Sequence, residues 1–442
     1  MIKLSLILAG LAICNAILAV LMPWYVVTHL GVGFQTDAFF ASGALPQLIF
    51  LVASFSLTQV LVPLLATEDE QTFRRDAWGF FLSVTGFFGL LAAVLFVFAG
   101  YWVPLLVPGF SDEAKQLTIS LSRIQLIGMV GNASVAVLWS VYYARQKFIW
   151  AELSPVFANV LSLLVLFWTL PQYGIAAAAW ATVLNLVLKM AFLMPMLGRW
   201  QAPQWDSYAM REAWRRIKPF LLGQTYSKSD PLIDRFLTSM SVAGNLSLLY
   251  IGQQIYSAIN LIVTKAISAP TMPRLALAAK SGDWPVFRRI YRQRLLWMAG
   301  LGAAACIVLL LFGEYLLHLM IGHGGITAQN VHMLWWIMLG LIGLLIGGSA
   351  GQITAVAFYA MGDTKTPTML FVWTFTIYIP IKVLVFLQYG LLGLAIATSV
   401  HLIVNFLIQL LILERVSARN GNRQSMIPRA VAGRSVSKDW FR

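Results

Sequence analysis

Charge is scarce in this chain. Aspartate, glutamate, lysine and arginine make up 11% of its 442 residues, against about 25% in soluble proteins. That is too little polar surface to wrap a core of this size in water. Histidine is rarer still, and its 5 residues form no HExxH or paired-ligand pattern, which excludes a zinc hydrolase. Only 2 cysteines are present, Cys14 and Cys306. Each lies in an apolar run without a ligand neighbour, so neither a disulfide framework nor a redox pair is on offer. A Walker loop is missing too, because Gly362-Asp363-Thr364-Lys365 lacks the upstream glycine spacing. With no ATPase motif, direct drive by ATP is excluded. The longest polar connections, 199–218 and 270–294, are too short to fold a catalytic domain.

What remains is hydrophobic: 59% of the residues are apolar. A bilayer core of about 30 Å takes about 20 apolar residues per helix. Runs of that length recur near 4–27, 38–64, 79–106, 118–142, 153–170, 175–198, 219–240, 246–269, 295–320, 332–357, 368–388 and 391–413. The first run is too long for a cleavable signal and reaches Pro23 and Trp24 without a small-residue cleavage site. The spacing predicts an all-α integral membrane protein with twelve transmembrane helices.

Basic residues set the topology. With the N-terminus in the cytoplasm, every lysine or arginine outside the spans except Lys115 falls on the cytoplasmic side. This asymmetry is the positive-inside rule and places both termini inside. It also accounts for the formal charge of +14, so nucleic acid is not needed as a partner. The basic tail 414–442 is expected to be disordered and to touch anionic membrane lipid. Segment 199–218 reads as a cytoplasmic linker, with an interfacial helix over Tyr208–Lys218.

The chain also repeats itself. Gln172-Tyr173-Gly174 and the residues after it answer Gln388-Tyr389-Gly390, and Tyr142-Tyr143-Ala144 answers Phe358-Tyr359-Ala360 at the same offset. Val62-Pro63-Leu64-Leu65-Ala66 answers Met272-Pro273-Arg274-Leu275-Ala276 at nearly that offset. An even number of spans separates the copies, so both cross in the same sense. The prediction is two six-helix lobes, 1–198 and 219–413, related by a parallel pseudo-two-fold axis. In transporters of this design the substrate lies between the lobes.

A charge inside the bilayer costs about 2.5–3.5 kcal/mol on insertion scales. Span seven nevertheless carries Lys228, Asp230, Asp234 and Arg235 around Pro231, which predicts a kink. Either these residues face a wet central cavity or they form salt bridges that lock the helix to its neighbours. Arg123, Lys189, Lys265 and Lys382 are further isolated cations, and Gln224, Gln253, Gln254 and Asn185 are neutral hydrogen-bonding groups. The excess of deep cations suits an anionic ligand such as a diphosphate. Asp37 opens span two, where capping its helix is the plainer role. The substrate-binding set expected in the cavity is Lys228, Arg235, Asp234, Asp230, Lys265, Gln254, Asp37 and Arg123.

In order along the chain stand Thr36-Asp37-Ala38-Phe39-Phe40, Leu45-Pro46-Gln47-Leu48, Val62-Pro63-Leu64-Leu65-Ala66 and Pro108-Gly109-Phe110. Ala243-Gly244-Asn245-Leu246-Ser247 follows, then Phe358-Tyr359-Ala360 with Asp363, Lys365, Thr366 and Pro367. In this pattern the chain resembles the MurJ/MviN lipid II flippase family, within the multidrug/oligosaccharidyl-lipid/polysaccharide exporter superfamily. The resemblance implies two lobes around a cation-lined cavity and transport of undecaprenyl-diphosphate-linked glycans to the periplasmic leaflet of the bacterial inner membrane. It further implies no cofactor, with coupling to an ion gradient or the membrane potential. The chain departs from the family's pattern at four places, the first being span one, which carries no charge beyond Lys3. No arginine follows Leu45-Pro46-Gln47-Leu48-Ile49, Ile251-Gly252-Gln253-Gln254 replaces a characteristic Tyr-Ala-Asp-Arg, and two C-terminal helices are missing. These departures keep an exopolysaccharide or O-antigen unit beside lipid II as cargo. An ion-coupled exporter of small amphipathic molecules would need an acidic cavity. A membrane glycosyltransferase or polymerase would need longer outer loops.

Overall fold

The computed structural model describes residues 2–66, 69–263, 267, 269–322 and 324–425, and their regular structure is helical. Lys265 and the basic residues beyond Ser425 lie outside the described residues, as does the side chain of Gln224. Among the described residues, ten helical stretches are long and apolar enough to cross a bilayer. The chain is a multi-pass all-α membrane protein.

Its first half contains α1 (Ile2–Leu30), α2 (Phe34–Ser42), α3 (Ala44–Ala66), α4 (Glu70–Val97) and α5 (Ala99–Leu106). α6 (Asp112–Ala144), α7 (Phe148–Tyr173) and α8 (Ile175–Leu193) complete it. Then come α9 (Tyr208–Ser227), α10 (Asp230–Thr238), α11 (Asn245–Val263) and α12 (Ala269–Ser281). The chain continues through α13 (Trp284–Ile321), α14 (Ala328–Gly340), α15 (Ile342–Ala360) and α16 (Lys365–Ser425). Starts are fixed by side-chain caps: Asp69 accepts from the amides of Gln71 and Thr72, Ser111 from Ala114, and Thr327 from Asn330. Large apolar side chains such as Leu164, Trp168, Leu310, Leu311 and Phe312 point outward, as a lipid-solvated surface requires.

Helices run through three of the polar segments read from the sequence. The connection 270–294 is helical, because Asp283 caps α13 through the Val286 amide with Pro285 in the first turn. α9 runs through 218/219 without a break. Ala209, Ala213 and Ile217 recur one turn apart and bury among first-half residues such as Leu57, Phe80 and Phe88. The helix breaks instead at Lys228–Ser229, just before Pro231, whose missing N–H is tolerated in the first turn of α10. The tail is also helical as far as Ser425, held where Arg292 makes a bidentate pair with Glu414 at 2.8 and 2.6 Å.

At the start of α9, Glu212 accepts from Arg215 and Arg216 at 2.8 and 2.6 Å. These two guanidiniums hold its carboxyl below the usual range.

The two repeated Gln-Tyr-Gly corners adopt one backbone conformation. Gly174 has φ 58° and ψ −146°, and Gly390, inside α16, has φ 61° and ψ −145°. Only glycine enters this region without strain. The other repeated tripeptides end helices: α6 stops at Ala144 and α15 at Ala360.

Candidate functional site

A cavity of about 290 Å³ lies between α1, α2, α3, α6, α7 and α8 on one side and α11 on the other. Helical spacing brings Gln125, Gly128 and Asn132 of α6 to one wall, and Thr182, Asn185 and Lys189 of α8 to the next. The wall is built from carboxamides. Asn185 donates to Asn159 at 2.7 Å, Asn159 donates to Asn15 at 2.8 Å, and Thr182 donates to Gln125 at 3.2 Å. Gln47 is exposed into the space. The second half contributes Tyr250 and Gln254, and Gln254 donates to the Tyr250 hydroxyl at 2.7 Å. Among the described residues, Lys189 is the cavity's one lysine or arginine, and no carboxylate lines it.

One end of the cavity is shut where the two halves meet. The Phe40 and Tyr250 rings stack at 4.2 Å. Behind them Asp37, 2% exposed, accepts from the Gly244 and Ser247 amides at 2.6 and 2.8 Å and from the Ser247 hydroxyl. A carboxylate on free amides at a helix start is favoured by unpaired N–H groups and the helix dipole. Asp37 therefore caps α11 of the other half, and not its own helix. Around it, the Gly325 amide donates to the Thr28 carbonyl at 2.8 Å, and Trp24 donates to the Met320 carbonyl at 2.8 Å. Gly31 and Gly325 meet backbone to backbone.

The span-seven charges make a different structure. Lys382 of α16 is fully buried, with its ammonium 2.6 Å from both Asp230 and Asp234. Gln253 donates to the second Asp234 oxygen at 2.7 Å. The acids thus pair with another helix, and not with Lys228 or Arg235. Arg235, 4% exposed, donates to the carbonyls of Phe40 and Pro231. Its guanidinium lies 5.4 Å from the centre of the Tyr250 ring.

The described residues of the expected substrate-binding set are divided among several places. Gln254 lines the cavity. Asp37 and Arg235 stand behind its aromatic end, Asp230 and Asp234 sit in the lysine clamp, and Lys228 is exposed at the helix break. Arg123 lies over the Phe96 ring at 5.2 Å, because two residues from Gln125 is the opposite face of α6. Lys265 lies outside the described residues. Sequence reasoning missed Gln47, Gln125, Asn132, Asn159 and Thr182. The available signal was carboxamides recurring inside apolar runs, since a lone Asn or Gln there needs a partner.

A polytopic helical protein with a polar chamber in its middle, latched at one end between its halves, belongs to the class of membrane transporters. The family model for "Lipid II flippase MurJ" matches residues 26–430. A probable lipid II flippase MurJ from Vibrio cholerae is 23% identical over 92% of this chain and 81% of its own length. One from Thermotoga maritima is 23% identical over 85% and 78%. The solved structure described as "Lipid II flippase MurJ, inward closed conformation" matches with a TM-score of 0.81 at 15% identity, covering 98% of this chain and 94% of its own. An inward-facing multidrug resistance MATE family transporter matches with a TM-score of 0.77 at 15% identity, over 95% and 99%. The chain belongs to the lipid II flippase MurJ family, whose members are transporters and not enzymes.

Proposed function

We propose that this protein moves undecaprenyl-diphosphate-linked sugar intermediates from the cytoplasmic to the periplasmic leaflet of the bacterial inner membrane by alternating access. The cargo is lipid II or an exopolysaccharide or O-antigen unit. The observation that carries the reading is a polar chamber enclosed by apolar helices and shut at one end by contacts between the two halves. A headgroup is sheltered there while its isoprenoid anchor stays in lipid.

Twelve spans in two lobes fit the helices. To the ten long stretches, the Gly390 corner adds one by dividing α16, and the broken pair α9–α10 adds another. The matched Gly174 and Gly390 corners support the repeat. The basic connections put both termini in the cytoplasm, so the Asp37 contact lies on the periplasmic side and the chamber faces inward. An ion gradient or the membrane potential drives the cycle, with Asp230, partly exposed beside Lys382, as the carboxylate placed to exchange a proton. A chamber with no lining carboxylate among the described residues disfavours export of amphipathic cations.

The test is complementation of a strain depleted of its lipid II flippase, together with lipid-linked glycan analysis of a strain lacking this gene. Rescue assigns lipid II. No rescue, with another lipid-linked glycan retained in the inner leaflet, assigns that glycan. No rescue and unchanged glycan pools overturn the reading.

A further inference from the structure

The charge of the chamber constrains its ligand more closely than the family does. A site for a multiply charged anion needs several cations, and a site for a cation needs a carboxylate. This one offers Lys189 and a wall of carboxamides. Each carboxamide presents donors and an acceptor together. That is the complement of a hydroxyl or an acetamido group, which also does both, and it is a poor match for a bare anion, which only accepts. The ladder Asn185–Asn159–Asn15 and the Thr182–Gln125 pair hold these groups in fixed orientation, so little side-chain entropy is lost when a ligand binds. The stacked Phe40 and Tyr250 rings floor the closed end. Lys189 makes no hydrogen bond or ion pair among the described residues. Two turns along α8 from Thr182, it stands about 10 Å farther from the latched end.

Resting on the flippase reading, we propose that the chamber is a headgroup site for a sugar linked to phosphate. Lys189 pairs with one phosphoryl group, and Gln47, Gln125, Asn132, Asn159 and Asn185 read the sugar. Selection then falls on the glycan more than on the number of phosphates. Among the described residues, the lining holds no second cation for a second phosphoryl group.

The experiment measures binding of four short-chain probes to the purified full-length protein by native mass spectrometry. The probes are farnesyl monophosphate, farnesyl diphosphate, and the N-acetylglucosamine-linked form of each. Two or more neutral hydrogen bonds to the sugar raise affinity by about tenfold or more for both carriers. The mono- and diphosphate sugars bind within about threefold of each other, because one charge pair is shared by both. Lys189→Gln weakens all four by about 10–100-fold, the value of one charge-assisted bond, and Lys189→Arg restores them. Asn159→Leu lowers the sugar-linked probes more than the bare ones. Thr182→Val probes the same wall with an isosteric change if the leucine variant does not fold. Equal binding by Lys189→Gln and wild type, or no gain from the sugar, overturns this inference and leaves the flippase reading standing. Failure of the wild type to bind any probe removes both.

Discussion

Replacing Lys382 with methionine removes the cation from a fully buried clamp and leaves Asp230 and Asp234 facing each other. The lysine side chain is 0% exposed and Asp234 3%, so water screens the pair little. Taking one partner from a buried ion pair costs about 3–5 kcal/mol, because the remaining charge keeps its desolvation penalty and loses its compensation. For a cooperative unit of 150–250 residues that is a fall in melting temperature of roughly 6–20 °C. Melting of the detergent-purified protein, followed by fluorescence-detected size exclusion, reads this directly. Substituting the whole group, as Asp230→Asn, Asp234→Asn and Lys382→Met together, removes every charge and recovers most of the loss. A Lys382→Met variant that melts with the wild type refutes the clamp. So does a triple variant as unstable as the single one.

Asp37→Ala deletes three hydrogen bonds that join the halves. At no less than about 2 kcal/mol, it shifts the population toward the outward-open state by about thirtyfold. Labelling of Val32→Cys by an impermeant maleimide, in a background without Cys14 and Cys306, rises accordingly; unchanged labelling contradicts the latch. Gly31→Ala drives a methyl group to 2.9 Å from the Gly325 carbonyl oxygen at a φ of +81°. The same labelling rises, at a cost of about 1–3 kcal/mol to the closed state. The Glu212 carboxyl is held low by Arg215 and Arg216, so its stabilising contribution is full above the ordinary carboxylate range and is lost as pH falls through the depressed value. Between pH 7 and acid, proteolysis in the 199–218 segment increases in the wild type. Glu212→Gln flattens this dependence.

Much of the fold was legible because lipid imposes a length and positive charge imposes a side. Runs of apolar residues long enough for a bilayer, the Gly174 and Gly390 corners and the break near Pro231 all come from local chemistry that a sequence carries openly. The site was harder to read. Its cations were conspicuous in span seven, but whether Asp230 and Asp234 answer Lys228, Arg235 or Lys382 depends on which helix packs beside α10. That is a long-range fact with no local signature. Asp37 was placed at a helix start correctly in kind, yet the helix it caps is α11, about two hundred residues away in the chain. The carboxamide wall went unread because Gln47, Gln125, Asn132 and Asn159 are spread over three helices. Each taken alone is an ordinary packing residue.

At the latched end, backbones approach closely beside the Asp37 side chain and the Phe40–Tyr250 stack. Gly31, Gly109, Gly244 and Gly325 each leave no room for a methyl group against the opposite surface. Parting the two surfaces breaks the Phe40–Tyr250 stack and opens a hydrophobic core that both halves share. A door of this kind is held by buried apolar area as well as by hydrogen bonds, so whatever opens it has to offset both.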